Sequence, residues 1–87
     1  MTTTATQTTA QQTATAAAEA AWTKLTQARE AEDQAYQEHQ EAEEKYGVVS
    51  DEEVAAWNKL ARATEARHQA QQEYDEARQA EYNENRK

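Results

Sequence analysis

The sequence predicts an all-α protein, an antiparallel hairpin of two long helices, and two observations support that prediction. Strong helix formers (Ala, Glu, Gln, Lys and Arg) dominate from about residue 14, and the whole chain holds no Pro and one Gly. Alanine also recurs every seventh residue in both halves of this region, which is the spacing of positions that face a partner helix. Residues 1–13 differ: they are rich in Thr, Ala and Gln, and we expect a flexible arm there.

A six-residue segment occurs twice in the chain. Residues 20–25 read Ala-Ala-Trp-Thr-Lys-Leu, and residues 55–60 read Ala-Ala-Trp-Asn-Lys-Leu. Aligned without a gap, residues 20–46 and 55–81 match at 14 of 27 positions. The offset of 35 residues is five heptads, so equivalent residues keep the same helical phase. We interpret this as an internal repeat, which predicts a hairpin with approximate two-fold symmetry.

The hairpin domain is predicted to occupy residues 14–87, and its first helix to run over about 14–46. Gly47 is the only glycine in the protein, and it can adopt the left-handed conformation that ends many helices. The turn is predicted over 47–50. Because so short a link cannot cross from one end of a long helix to the other, the two helices must lie antiparallel.

The second helix is predicted over about 51–84 and opens on the sequence Ser-Asp-Glu-Glu at residues 50–53. This is a capping box, in which the Ser50 hydroxyl accepts a hydrogen bond from the Glu53 backbone and the Glu53 carboxylate reaches back to the Ser50 backbone. The acidic residues also place negative charge at the positive end of the helix dipole.

Small and bulky residues alternate along the predicted contact face, which resembles the packing of alanine-rich antiparallel coiled coils. Folding the chain about the turn pairs residues whose numbers sum to about 95–97, so Leu25 meets Ala70 and Leu60 meets Ala35. Glu32 and Arg67 are also expected near one another across the seam. The residues of this seam are Ala21, Leu25, Ala28, Ala35 and Ala42 in the first helix, and Ala56, Leu60, Ala63, Ala70 and Ala77 in the second.

Aromatic residues flank the seam. Trp22, Tyr36 and Trp57 each follow a seam alanine, so we expect them along one edge of the hairpin. The register places Trp22 beside Tyr74, and Trp57 beside His39 and Tyr36. Each Trp either covers the seam of its own hairpin as a lid or anchors another chain. The second interpretation is possible because Trp is enriched at the centres of interfaces. Trp22, Tyr36, Trp57 and Tyr74 are therefore the candidate interaction residues.

The supply of large apolar residues is small, with two Leu, three Val and no Ile or Phe. At about 25 cal/mol per Å² of buried apolar surface, such a core can barely offset the entropy lost on folding. We therefore expect a protein partner, copies of the same chain, or both to complete the burial. The net charge of −8 disfavours nucleic acid and anionic membranes as partners, although it can also serve solubility alone.

The sequence offers little for catalysis or cofactor binding. It contains no Cys, its single Gly lies in the turn, and a two-helix rod has no concave site for a small-molecule substrate. Glu65 and His68 have the Glu-x-x-His spacing of di-iron carboxylate sites, but the repeat supplies no second copy. His39 is expected to pack on an aromatic ring or to bond a carboxylate. We therefore predict no catalytic residue, no metal and no cofactor.

These observations predict a non-enzymatic structural or interaction subunit, such as an accessory component of a phage particle. The alternative is a soluble acidic inhibitor whose carboxylates occupy a basic, nucleic-acid-binding groove of its target, and a plain dimeric spacer is a third option. Neither a secretory signal nor a membrane-spanning stretch is visible, which predicts a cytoplasmic protein or one assembled into a particle.

Overall fold

The computed structural model describes residues 9–86, which form two helices joined by a short turn. Helix α1 spans Thr9–Tyr46 and helix α2 spans Asp51–Arg86. The two helices pack against each other along their length, and residues 9–86 contain no strand. At 1.5 Å per residue, each helix is between about 54 and 57 Å long. The predicted all-helical hairpin is confirmed.

Helix α1 begins at Thr9, earlier than the sequence suggested. Residues 9–13, which were expected to belong to the flexible arm, continue the helix. One contact ties this segment to the far helix, because the Gln11 Nε2 donates to the backbone oxygen of Glu84 at 3.1 Å. The remainder of the predicted arm, residues 1–8, lies outside the described residues.

The turn has the predicted glycine cap. Gly47 has a φ of 95°, in the left-handed region that a side chain disfavours. Its N–H donates to the backbone oxygen of Glu43 at 3.0 Å, which closes the last turn of α1. The Ser50 hydroxyl then donates to the backbone oxygen of Gly47 at 3.1 Å and accepts from the Glu53 N–H at 3.1 Å. One side chain thus joins the end of α1 to the start of α2.

Half of the predicted capping box is wrong. The Glu53 carboxylate was expected to return to the backbone of Ser50, but it bonds the His39 Nε2 of α1 at 2.6 Å. A carboxylate on the seam side of α2 faces α1, and a ring nitrogen across the seam offers it a stronger partner than an exposed backbone N–H. Glu53 therefore ties the two helices together instead of capping its own.

The core is a single file of small residues with one large side chain. Leu25 is completely buried, and it is the largest fully buried side chain among the described residues. The other buried residues are Ala18, Ala35 and Ala70. Leu60 is only half-buried. The remaining seam alanines, which are also half-buried, are Ala21, Ala28, Ala42, Ala56, Ala63 and Ala77.

An ion pair lies at the midpoint of the seam, between the two residues that were expected near one another. The Arg67 guanidinium donates to the two carboxylate oxygens of Glu32, at 2.8 and 3.5 Å. Both side chains are less than a third exposed. The hydrogen bond from Arg67, with a smaller contribution from the Thr64 hydroxyl, lowers the pKa of Glu32 below its ordinary value of 4.5. The pair therefore stabilises the hairpin while Glu32 is ionised.

Leu25→Ala should destabilise the hairpin more than Leu60→Ala, although the substitution is the same. Leu25 is fully buried, so its truncation should cost about 2–3 kcal/mol of unfolding free energy, through lost burial and an unfilled cavity. Leu60 is half-buried, so its truncation should lower the unfolding free energy by less. Urea unfolding followed by circular dichroism measures both, and equal losses would contradict the burial described here.

Glu32→Gln should lower the unfolding free energy by roughly 1 kcal/mol at neutral pH. Because the pKa of Glu32 is lowered in the folded state, its contribution is fully present above the unfolded value and is lost as the pH falls through the folded value. The difference between parent and variant should therefore shrink below about pH 4.5.

Glu38→Gln is the matched control, because Glu38 pairs with Lys59 at a more exposed position. It should cost less at neutral pH. Unfolding titrations at a series of pH values test both variants. If the unfolding free energies of the parent and Glu32→Gln coincide at every pH, the pair contributes nothing, and a constant offset between them would contradict the expected dependence on the ionisation of Glu32.

Candidate interaction surface

Residues that directly follow seam alanines in the two helices lie on one edge of the hairpin. Arg29 follows Ala28, Gln71 follows Ala70, and the Arg29 Nη2 donates to the Gln71 Oε1 at 3.2 Å. This bond shows that the two sets of positions adjoin on the same side. Trp22, Tyr36 and Trp57 occupy the same kind of position, and we call these three residues the aromatic edge.

Each Trp of the aromatic edge contacts a ring on the opposite helix. The Trp22 and Tyr74 ring centroids are 5.2 Å apart with an angle of 52° between the rings, and those of Trp57 and His39 are 5.3 Å apart at 57°. Both contacts occur where the register predicted them. Such tilted ring pairs add about 0.5–1.5 kcal/mol beyond the area they bury.

The two Trp side chains also remain half exposed. Trp22 is 48% exposed and Trp57 is 55% exposed, and the third member of the edge, Tyr36, is exposed as well. One part of each indole therefore covers the seam while the other part faces solvent. The lid and anchor interpretations of the Trp residues are thus physically compatible with one another.

A shallow groove of about 480 Å³ adjoins Trp22 near the open end of the hairpin. Its apolar wall comprises Ala18, Trp22 and Tyr74, and Arg78 lies at its rim. The Arg29 guanidinium lies 5.7 Å from the centre of the Trp22 ring, so a cation also flanks the indole. Glu19 and Glu81 also line the groove, and the Arg78 Nε lies 3.6 Å from the Glu81 Oε1, so the groove combines an apolar wall with charges of both signs.

Ion pairs occupy the opposite edge. The Lys24 Nζ lies 2.7 Å from the Glu73 Oε1, and the Lys59 Nζ lies 2.6 Å from the Glu38 Oε1. Lys24 and Lys59 directly precede the seam residues Leu25 and Leu60, and the two pairs are related by the offset of 35 residues. Such exposed pairs contribute at most about 1 kcal/mol each. Their main effect is on register, because a shift of either helix separates both.

His39 has both kinds of contact that the sequence proposed for it, with an aromatic ring and with a carboxylate. Its Nε2 lies 2.6 Å from the Glu53 Oε2, and both side chains are only 13% exposed. The carboxylate comes from the facing helix and not from Glu38 or Glu43 beside it in sequence. Glu43 lies one turn further along α1, with a carboxylate oxygen within 4.8 Å of the other two ligand atoms. We call His39, Glu43 and Glu53 the turn-end cluster.

The Glu65-x-x-His68 motif gains no further ligand from the fold. Both residues are exposed on α2. Over residues 9–86, the turn-end cluster is the only group in which three His or acidic side chains bring ligand atoms together.

An apolar patch at the turn was not expected from the sequence. Val48 and Val49 follow the glycine cap and are exposed, Val49 at 89%, and Val54 in the first turns of α2 is exposed as well. The signal in the sequence is the Val-Val pair inside an otherwise polar turn. The tip is therefore a second apolar surface, separate from the aromatic edge.

Neither α1 nor α2 has a stretch apolar enough to cross a membrane. Comparison of the chain with protein-family models, with curated proteins and with solved structures finds no match.

Proposed function

We propose that the protein is a non-enzymatic structural or interaction subunit that docks through its aromatic edge. Its partner is a protein surface, supplied by copies of this chain or by a larger protein. An accessory component of a large assembly, such as a phage particle, is one setting that suits such a subunit. The observation that carries the proposal is the half exposure of Trp22 and Trp57 on one edge.

The energetics of the core support this proposal. The largest fully buried side chain in the described hairpin is Leu25, and the other buried residues are alanines. A two-helix unit with so little buried apolar area is close to the limit at which folding offsets chain entropy. Covering two half-exposed indoles would add burial of the kind that dominates interface energies.

The proposed docking mechanism follows from the packing of the rings. Tyr74 and His39 hold the two indoles on the seam, so little side-chain freedom remains to be lost when a partner covers them. The alanine seam acts as an alanine-rich coiled coil that keeps the rod straight, and the 35-residue repeat places equivalent Trp residues in both arms. The rod presents its two anchors at a fixed separation.

A second candidate, the acidic inhibitor, is favoured by one observation. Six exposed acids on α1 form no ion pair with any residue in 9–86, among them Glu30, Asp33, Glu41 and Glu44. Unpaired carboxylates on an outer face are what a basic groove would bind. Salt separates the two functions, because carboxylate docking should weaken steeply between low and physiological ionic strength, whereas apolar docking should not.

Trp22→Ala and Trp57→Ala should weaken self-association while leaving the helical content nearly unchanged. Truncation of an anchoring Trp typically costs about 2–4 kcal/mol, which corresponds to a roughly 30- to 1000-fold weaker association. Sedimentation equilibrium over a wide concentration range, with circular dichroism on the same samples, measures both quantities.

Tyr82→Ala is the matched control, because Tyr82 is an equally exposed aromatic residue that follows Glu81 and not a seam alanine. Its loss should leave association unchanged. If the double Trp variant associates as the parent does, the aromatic edge is not the docking surface. A parent that is monomeric and only partly helical would assign the missing surface to a different protein.

A further inference from the structure

The turn-end cluster has the composition and placement of a metal-binding site. His39 and Glu43 are four residues apart on α1, so they lie on one face, one helical turn from each other. Glu53 approaches from the first turn of α2. One ligand atom from each residue lies within 4.8 Å of the other two. Two sequence-distant segments thus bring a ring nitrogen and two carboxylate oxygens to a single point.

These three ligands suit a divalent transition metal better than Mg²⁺ or Ca²⁺. Imidazole nitrogen is a preferred ligand of Zn²⁺, which also accepts carboxylate oxygen, whereas Mg²⁺ and Ca²⁺ take oxygen almost exclusively. Two carboxylates with a neutral imidazole supply two negative charges, which match a divalent cation. Neither Glu43 nor Glu53 pairs with a Lys or Arg of the described residues, so no cation already neutralises them.

The geometry needs only a small adjustment to receive the ion. Bonds of about 2.0–2.2 Å to Zn²⁺ set ligand atoms on the order of 3.3 Å apart. The His39 and Glu53 atoms, now 2.6 Å apart across a hydrogen bond, would separate slightly, and the exposed Glu43 carboxylate would move inward. The proton of that hydrogen bond would be released to solvent, and the imidazole would keep its other proton on Nδ1, which frees the Nε2 lone pair for the ion. Glu43 can make this movement because its side chain has no other partner within residues 9–86. Water from the exposed side would complete the coordination.

The other end of the hairpin shows that the packing does not itself require these ligands. Residues offset by 35 from the cluster are Ala18, Tyr74 and Arg78, all of which line the groove beside Trp22. The ring contact with a Trp is present at both ends, between Trp22 and Tyr74 and between Trp57 and His39. Only the turn end combines that contact with three metal-ligating side chains.

We propose that His39, Glu43 and Glu53 bind one Zn²⁺ ion that clamps the end of α1 to the first turn of α2. The proposal does not rest on the docking function proposed above, although His39 also contacts the Trp57 ring of the aromatic edge. Because the ligands come together only when the hairpin is closed, Zn²⁺ binds the folded chain in preference to the unfolded chain and stabilises it by mass action. The ion would fix the turn, beyond which the apolar tip of Val48 and Val49 projects.

Titration of the untagged, full-length, chelator-treated protein with Zn²⁺ tests the proposal. Calorimetry should give one ion per chain, and the thermal midpoint Tm should rise steadily with Zn²⁺ concentration. Mg²⁺ at the same concentrations should leave the Tm unchanged. If Zn²⁺ gives no binding and no shift in Tm, or if Mg²⁺ is equally effective, the proposal is overturned.

Glu43→Gln is the decisive variant, because Glu43 is exposed and its loss should not alter the metal-free fold. It should weaken Zn²⁺ binding by about tenfold or more, since even residues that only support a ligand are worth 10- to 100-fold in affinity. Glu44→Gln makes the same change in charge one residue further on and should bind Zn²⁺ as the parent does. Equal weakening in both variants would assign the binding to general acidity and overturn the site.

The second histidine provides an independent control. His68→Ala should keep the parent affinity, and Zn²⁺ should shift the ring resonances of His39 and not those of His68 in a nuclear magnetic resonance spectrum. Loss of binding in His68→Ala, or perturbation of the His68 ring alone, would place the ion on α2 and refute the assignment.

Discussion

The close approach of two helices along a line of alanines determines the rest of this structure. Alanine has no bulk beyond its methyl group, so the helices can pack closely, but little apolar surface is buried between them. The larger side chains are consequently placed beside the seam, where Trp22 and Trp57 cover it from one edge while remaining half exposed. The small buried core and the exposed aromatic edge therefore both result from the alanines at the helix–helix contact.

Polar contacts set the register that so small a core leaves weakly specified. The Glu32–Arg67 pair lies at the middle of the seam, and a lysine–glutamate pair lies on either side of it. Each exposed pair adds little free energy, yet sliding one helix by a turn would separate all of them at once. The short turn sets the alignment of the two helices, and these ion pairs add to the preference for it.

Much of the fold follows from local sequence, because its determinants act over one or two helical turns. The glycine cap, the Ser50 cap and the heptad spacing of alanine predict the turn and the contact face. The pairing of Trp22 with Tyr74 follows once the turn is placed. What the sequence could not give were contacts in which two partners compete. The Glu53 carboxylate could bond either the nearby Ser50 backbone N–H or the distant His39 ring. Only the three-dimensional arrangement favours the His39 ring. Helix α1 likewise starts at Thr9, earlier than local sequence predicts, in a segment where Gln11 contacts the end of α2.

The edge that carries the two lysine–glutamate ion pairs has the same charge pattern when it is read from either end. Lys24 and Lys59 are 35 residues apart, as are Glu38 and Glu73, so a half-turn about the Glu32–Arg67 pair exchanges one ion pair with the other. A surface that recognised this edge by charge alone would meet the same pattern whichever end of the rod arrived first. The two ends of the rod differ, because the histidine and two glutamates of the turn-end cluster are replaced by tyrosine, arginine and alanine at the other end. Filaments or layers built from such rods would therefore take their orientation from end contacts and their spacing from the sides.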